Sequence, residues 1–231
     1  TGRALVVIEL EGGNDALNTV IPYDSGLYYD FRPNIAIPQE DVLPIDKRLG
    51  FNPNLAPIKR LWDEGKVAIV TGAGSGIGRG ISRRFNQEGA RLLLADWSED
   101  SLQATANEIN NVGGQAKAVV ADISKKADVD ALVTAALSAY GDLDIMINNV
   151  GLRDRRSIEE IDGPEFQALL QVNLTSAFLL CREVVELMRV RQWGRIVNMS
   201  ALGSAVGLKL SPSYAASKGA LESLTLSLIH I

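Results

Sequence analysis

One histidine, one cysteine and no unbroken apolar stretch near the ~20 residues of a membrane span narrow the chemistry of this 231-residue chain before any motif is read. His230 is the only histidine, so neither a histidine-based triad nor a His-rich metal site is expected unless a partner supplies more. Any general acid or base must be another residue. Cys181 has no second cysteine to pair with, and the helical period around it points to core packing; this usage fits a reducing compartment such as the cytoplasm. Lysine and arginine number 23 against 28 aspartates and glutamates, a net charge of -5, and no basic block stands ready to neutralise phosphates. RRFNQEGAR and LRDRR are short and mixed in sign. A nucleic-acid partner is therefore not expected and, with no spanning stretch, neither is a membrane. The first residue is Thr1 rather than Met, with no charged-then-apolar leader after it, so an upstream segment is expected.

Apolar residues make up 46% of the chain, enough to bury a core in one domain or two. Two textures meet near residue 64, which divides the chain into residues 1–63 and 64–231. The first part is rich in Pro, Asn, Asp and Tyr. There RALVVIEL is predicted as a buried strand, GGNDALN as a turn and PNLAPIKRLWDEG as a proline-started helix, with residues 22–53 mostly loop. In the second part KVAIVT, RLLLAD, AKAVVAD, LDIMIN and RIVNMS read as short continuous apolar strands separated by helical patterns. Parallel strands need crossover helices and are buried on both faces, so this alternation predicts an α/β fold with a doubly wound parallel sheet.

KVAIV runs directly into TGAGSGIG at 71–78, and a helical period follows. A glycine-rich strand-to-helix turn is a phosphate cradle: Gly72, Gly76 and Gly78 let the backbone approach a pyrophosphate. The helix start at Ser75, Gly76 and Ile77 offers unpaired N–H groups and a favourable dipole. RLLLAD ends in Asp96, about the ~20-residue distance at which an acid meets an adenosine ribose. Its carboxylate would accept both hydroxyls and repel a 2'-phosphate, and neither Ser75 nor Trp97 supplies a compensating charge, so NAD(H) is favoured over NADP(H), with Arg79 and Arg91 the exceptions to check. The alternative role for Asp96 is a cap on the helix that begins SEDSLQ, for which Ser98 is the more natural residue.

TGAGSGIG, the pair Asp122-Ile123, NNVG at 148–151 and YAASK at 214–218 occur in that order, and together they resemble the short-chain dehydrogenase/reductase family over about two-thirds of the chain. The resemblance implies a Rossmann-type fold that carries hydride between NAD(P) and an alcohol or carbonyl. It also implies that Asp122 and Ile123 flank the adenine, and that Asn148, Asn149 and Gly151 line the cofactor channel. The chemistry can be argued from the residues as well. Carbonyl reduction needs a proton donor near the oxygen and a charge that lowers the donor's pKa. Tyr214 and Lys218, one helical turn apart, place a phenol and an ammonium on one face. By the resemblance Tyr214 is the acid/base, Lys218 also holds the nicotinamide ribose, and Asn173 of QVNLTSAF completes a proton relay; a locally bonded helix residue is the alternative for Asn173. Helices around 172–188 and 214–226 would pair across subunits, giving a homo-oligomer if the sheet folds.

The chain departs from the family pattern at the catalytic serine, expected thirteen positions before the tyrosine, where Ala201 stands. Ser200 is the candidate to replace it and Ser204 the weaker one. Neighbours at a strand end point in opposite directions, so Ser200 serves only if the register shifts; an empty slot costs ~100-fold by analogy with oxyanion donors. The family's last strands do not follow YAASKGALESLT, so the sheet is expected to be incomplete at the C-terminus, with RIVNMS a bare apolar edge. The closing LSLIHI reads like a translated sequencing adapter. LVVIELEGGNDALNTVIPYD, YYDFRPNIAIP and LGFNPNLAPIKRLWDEGKVAIV, over about residues 4–70, resemble the start of uncharacterised exported bacterial proteins related in fold to alkaline phosphatases. Asn14 and Asp15 would be metal ligands by that likeness and a turn by their residue types, and the turn is favoured. A join of two genes through the shared EGKVAIV is expected to leave residues 1–63 poorly packed on the rest. Three readings follow: an NAD-dependent oxidoreductase of alcohols and carbonyls, a non-catalytic nucleotide-binding fragment, and a phosphatase-like metal-binding fragment that lacks its other ligands.

Overall fold

A computed structural model describes residues 6–8, 20–44, 47–51, 53, 66–202, 204, 207 and 209–228. Two compact units are present, Thr1–Glu11 with Lys66–Ile231 and, separately, Gly12–Gly65. The larger unit thus draws chain from both sides of the texture change at residue 64, because Val6–Ile8 (β1) joins its sheet. In the smaller unit β2 (Val20–Ile21), α1 (Gly26–Asp30), β3 (Leu43–Pro44) and β4 (Gly50–Phe51) follow, the strands antiparallel in the order β2-β4-β3. Ile21, Tyr28 and Val42 form its core, and the Tyr28 hydroxyl accepts the Ile37 N–H at 2.9 Å. Among the described residues 22–53 is mostly loop, as the sequence suggests, and the elements of two to five residues within it are too short to show a period in sequence. Asn14, Asp15, His230 and residues 54–65 of the expected helix lie outside the described residues.

In the larger unit β5 (Val67–Thr71), α2 (Gly76–Gln87), β6 (Arg91–Asp96), α3 (Glu99–Asn111), β7 (Gln115–Val120), α4 (Lys126–Tyr140) and β8 (Ile145–Asn148) alternate. Then come α5 (Gly163–Leu170), α6 (Ser176–Val190), β9 (Arg195–Met199) and α7 (Pro212–Leu228). All strands are parallel, in the order β1-β9-β8-β5-β6-β7. The five strands read from sequence are all present, as a Rossmann-type doubly wound sheet. The chain leaves β5 toward β6 and β7 and then returns to lay β8 on the other side of β5. Strand order therefore reverses between β5 and β8, and a crevice belongs at their C-terminal ends. β5, β8 and β9 are buried at every position, whereas β7 alternates between exposed and half-buried residues, as an edge strand does. Ile69, Leu93, Val129, Leu132, Met146, Leu180 and Val184 pack between the sheet and α4 and α6. Cys181 sits among them, and burial pushes its thiol up to about 12, so it is inert at neutral pH.

Two expectations change. β9 is not a bare edge: Val6, Val7 and Ile8 pair with Val197, Asn198 and Met199, which gives its outer backbone groups partners. A long apolar helix also exists. α5, a π-helical turn (Gln171–Thr175) and α6 join as Gly163–Val190, 28 residues with a stretch of mean hydropathy 1.3, long and apolar enough by length and composition to cross a membrane. In sequence the polar Gln171 and Asn173 interrupt it. Leu169, Ala177, Leu180 and Val184 are buried in the core, which accounts for the apolar character by packing.

At the N-terminal end of the sheet Asp144 holds two strands and a helix end together. Its Oδ2 accepts the Val67 N–H at 2.9 Å, its Oδ1 accepts from Arg191 at 3.2 Å, and Lys66 lies 3.8 Å away. Asp144→Ala would leave a buried N–H and a half-buried guanidinium without this partner. The expected loss is about 2–4 kcal/mol, read as a lower urea midpoint with unchanged m; an unchanged midpoint would show that the carboxylate contributes nothing.

Candidate active site

The glycine turn after β5 has a backbone that only glycine adopts easily: Gly72 has φ 65° and Gly76 φ 50°. A Cβ on Gly78 would overlap the Gly72 carbonyl oxygen and stand 2.7 Å from Asn149 Nδ2, so α2 starts directly on top of the turn. Ser75 precedes α2 without a side-chain cap bond, and Arg79 N–H is the first to return to a carbonyl, Ser75 O at 3.1 Å. The N–H groups of Gly76, Ile77 and Gly78 therefore lie in the first turn, where helices leave donors for an anion. Asn149 braces the turn from β8, with Nδ2 donating to Thr71 O at 3.0 Å and its backbone N–H donating to Thr71 Oγ1 at 3.0 Å. Thr71 Oγ1 donates in turn to Ile147 O at 3.0 Å, which stitches the ends of β5 and β8.

Asp96 ends β6 beside this turn. Its Oδ2 accepts the Gly74 N–H at 2.9 Å and its Oδ1 the Ser98 N–H at 3.0 Å, while the Ser98 side chain makes no cap bond. Asp96 thus bonds the N–H of Ser98, the residue before α3, and not the first turn of that helix, and each oxygen keeps acceptor capacity for a diol. The two arginines that could welcome a 2'-phosphate are engaged elsewhere. Arg79 donates to Glu108 at 2.7 Å, and Arg91 stacks on Tyr140 with its guanidinium 5.6 Å from the ring centroid. Arg83 and Arg79 together hold Glu108 down to about 2. Trp97 is exposed. Asp122 turns onto its own loop: its Oδ1 accepts from Ser124 Oγ at 2.6 Å, and this bond, with Lys125 nearby, keeps its carboxyl below the usual range. Ile123 packs into the core, so only its backbone is left for a ligand.

The second cluster forms where β8, the π turn and α7 meet. A Cβ on Gly151 would lie 3.2 Å from Lys218 Nζ and 3.7 Å from Asn173 Oδ1. Asn173 is buried in the π turn and bonds far from home rather than locally: Nδ2 donates to Leu152 O and to Ser217 Oγ, each at 2.9 Å, and Oδ1 accepts the Leu152 N–H at 2.7 Å. Lys218 Nζ donates to Met199 O at 2.6 Å and stands 5.9 Å from the Tyr214 ring centroid. Burial pushes its ammonium down to about 8. Burial raises the Tyr214 phenol above its ordinary value, and the Arg153 guanidinium, 5.7 Å from the ring centroid, opposes that rise.

Ser200 is not part of this cluster's bonding. Its hydroxyl donates to Glu222 of α7, which also accepts from Ser204, so both serine candidates converge on one carboxylate oxygen. Nothing in that arrangement brings Ser200 to Tyr214, and Ala201 is left at the expected slot. Sequence reading assigned no role to Thr71, Ser217 or Glu222. Glu222 had a signal, since it falls one turn after Lys218 on the same helix face; Thr71 and Ser217 are recognisable only from their partners. Among the described residues no group of three His, Cys, Asp or Glu side chains could hold a metal.

The family model for short chain dehydrogenases matches residues 66–230. An uncharacterized oxidoreductase of Thermotoga maritima is 36% identical over 165 residues, 71% of this chain and 65% of that protein. Two solved structures share the fold. A metagenomic short-chain oxidoreductase in complex with NADP has a TM-score of 0.69 at 34% identity, over 72% of this chain and 76% of that one. A short-chain dehydrogenase/reductase from Burkholderia phymatum in complex with NAD has a TM-score of 0.70 at 32% identity, over 72% and 59%. The chain spans 65%, 62% and 64% of the length of three curated relatives that it matches. The family match leaves the stretch before Lys66 outside it, so the phosphatase likeness gains no support there. With the glycine turn, Asp96, Asn173, Tyr214 and Lys218 at one end of one parallel sheet, the chain belongs to the short-chain dehydrogenase family.

Proposed function

We propose that this chain forms the cofactor-binding and catalytic part of an NAD(H)-dependent oxidoreductase that interconverts a small alcohol and its carbonyl. The observation that carries this reading is the placement of Lys218 and Asn173 around Gly151, on the loop after β8, next to the strand whose end forms the glycine turn, with the Tyr214 ring centroid 5.9 Å from Lys218 Nζ. When bound, the nicotinamide supplies or accepts the hydride. Tyr214 gives its phenolic proton to the carbonyl oxygen or takes it back from the alcohol. Lys218 favours the phenolate by its charge, and Asn173, through Ser217, completes the relay behind it. The first-turn N–H groups of α2 hold the pyrophosphate, and Asp96 takes the ribose diol. The shallow apolar groove between the π turn, α6 and α7, lined by Leu174, Phe178 and Leu224, fits a second copy of the chain and hence a homo-oligomer. The free, buried Cys181 accords with a reducing compartment, the cytoplasm.

Asp96 favours NADH because its carboxylate repels a 2'-phosphate while Arg79 and Arg91 are occupied. Titrated with NADH and with NADPH while nicotinamide fluorescence is followed, the chain is expected to bind NADH at least about tenfold more tightly, ~1.4 kcal/mol. The Asp96→Ala variant should lose that preference. Equal affinity for both in the unaltered chain would contradict the assignment. A second reading, binding without turnover, is favoured by one observation: Ala201 stands at the serine position and Ser200 is held by Glu222.

A further inference from the structure

We infer that Arg153 makes this site selective for substrates that carry a carboxylate on, or one carbon from, the reacting carbon. The inference rests on the oxidoreductase reading above. Arg153 follows β8 on the loop that Asn173 grips at Leu152, and its guanidinium stands 5.7 Å from the centroid of the Tyr214 ring. That loop is fastened on both sides of Arg153. Asn173 holds the backbone of Leu152 on one side, and on the other the Asp154 carbonyl accepts from Ser211 Oγ at 2.6 Å, at the start of the helix that carries Tyr214. Arg153 is thereby kept in one register with the phenol.

The nearby carboxylates do not neutralise it. Asp154 and Glu165 are both spent on Arg156, at 2.9 Å and 2.8 Å. Among the described residues Arg153 has no carboxylate within ion-pair distance; its recorded contact is the face of Tyr214. An arginine stays charged at every working pH and presents a planar fork that matches a carboxylate in two-point contact. A substrate whose oxygen bonds the Tyr214 hydroxyl places substituents of the neighbouring carbon within reach of that fork. A neutral alcohol would leave the guanidinium as it is, stacked on the ring and wet; an anionic one gains a charge-assisted bond in the same pose.

Two readouts test this, and the first does not need the cofactor. Benzoate and benzamide binding is compared by ligand-observed NMR on the unaltered chain and on Arg153→Gln, an exposed position whose side chain has no bond within the fold to lose. Benzoate should bind about tenfold more tightly or better, and the preference should vanish in the variant. The second readout is the ratio of kcat/KM for 2- and 3-hydroxy acids to that for their methyl esters with NAD, expected at about ten or more and falling toward one in Arg153→Gln. Equal binding of benzoate and benzamide, a preference that survives Arg153→Gln, or esters turned over as well as acids would each overturn the inference. A chain that binds benzoate through Arg153 but fails to bind NADH would overturn the oxidoreductase reading and leave the anion site standing; one that binds NADH yet shows no acid preference would do the reverse.

Discussion

Ala201→Ser is expected to raise kcat/KM for carbonyl reduction by about 100-fold, the scale on which a single donor to a developing oxyanion counts. The gain is expected because the proton donor and its tuning charge are already assembled, with Lys218 5.9 Å from the Tyr214 ring centroid, while the two candidate serines, Ser200 and Ser204, both donate to Glu222. A serine at 201 adds a hydroxyl at the position that lies opposite Ser200 across the strand end. Ser200→Ala should change turnover far less than Ala201→Ser does. If Ser200→Ala abolished activity and Ala201→Ser added none, the strand register near β9 would have to place Ser200 at the substrate. Steady-state kinetics on the two single variants and the double variant decides between these outcomes.

Tyr214→Phe should lower turnover by about 10²- to 10⁴-fold, the range for loss of a positioned general acid, with NADH affinity much less affected. The pH profile carries the companion expectation. Free Lys218 titrates near 10.5 and in the folded chain near about 8, because burial penalises its charge. Tyr214 moves the other way, upward, for the same reason. In the free enzyme the lysine therefore loses its proton before the phenol does. kcat/KM for reduction should be level below pH 8 and fall by about tenfold per unit above it, as the charge beside Tyr214 is lost. Stability should show the same pair of values. Between about 8 and 10.5 the unfolded chain holds a proton that the folded chain has given up, so stability rises with pH through that window. Below pH 8 the buried ammonium costs on the order of 3 kcal/mol in full. A flat profile through pH 8 to 10, in both turnover and stability, would show that Lys218 is solvated like a surface lysine.

How much of this was legible depended on the length scale of each signal. β5, β8 and β9 are buried along their whole length and β6 at all but its first residue, so their runs of valine, isoleucine and leucine are continuous in sequence and stand out. The glycine turn could be read because Gly72 and Gly76 sit in the left-handed region and a Cβ on Gly78 would strike the turn, which restricts the residue type locally. Tyr214 and Lys218 were legible as a pair because one helical turn joins them. The rest was hidden by distance along the chain. That Asn173 works on Leu152 and Ser217 rather than locally, or that Ser200 faces Glu222, follows from packing of α7 against the π turn and β9, which no local pattern encodes. Val6–Ile8 reads as a strand, yet its partner lies about 190 residues away, near Val197, and pairings at such separation leave no trace in either segment's period. The bond that Asp96 accepts from Gly74 spans 22 positions, from the glycine turn to the end of β6, and likewise leaves no local pattern in the sequence.

The central claim is that the Tyr214 cluster and the glycine turn form one working site for hydride transfer, and deuterium tracing tests it most directly. NADH deuterated at the transferring carbon is incubated with the chain and a panel of small ketones and keto acids, and the products are read by mass spectrometry. One deuterium is expected on the new carbinol carbon, more of it with Ala201→Ser and far less with Tyr214→Phe. Saturable NADH binding with no deuterium transferred by either the unaltered chain or the Ala201→Ser variant would contradict it, and would leave a nucleotide-binding fold that holds its cofactor without using it.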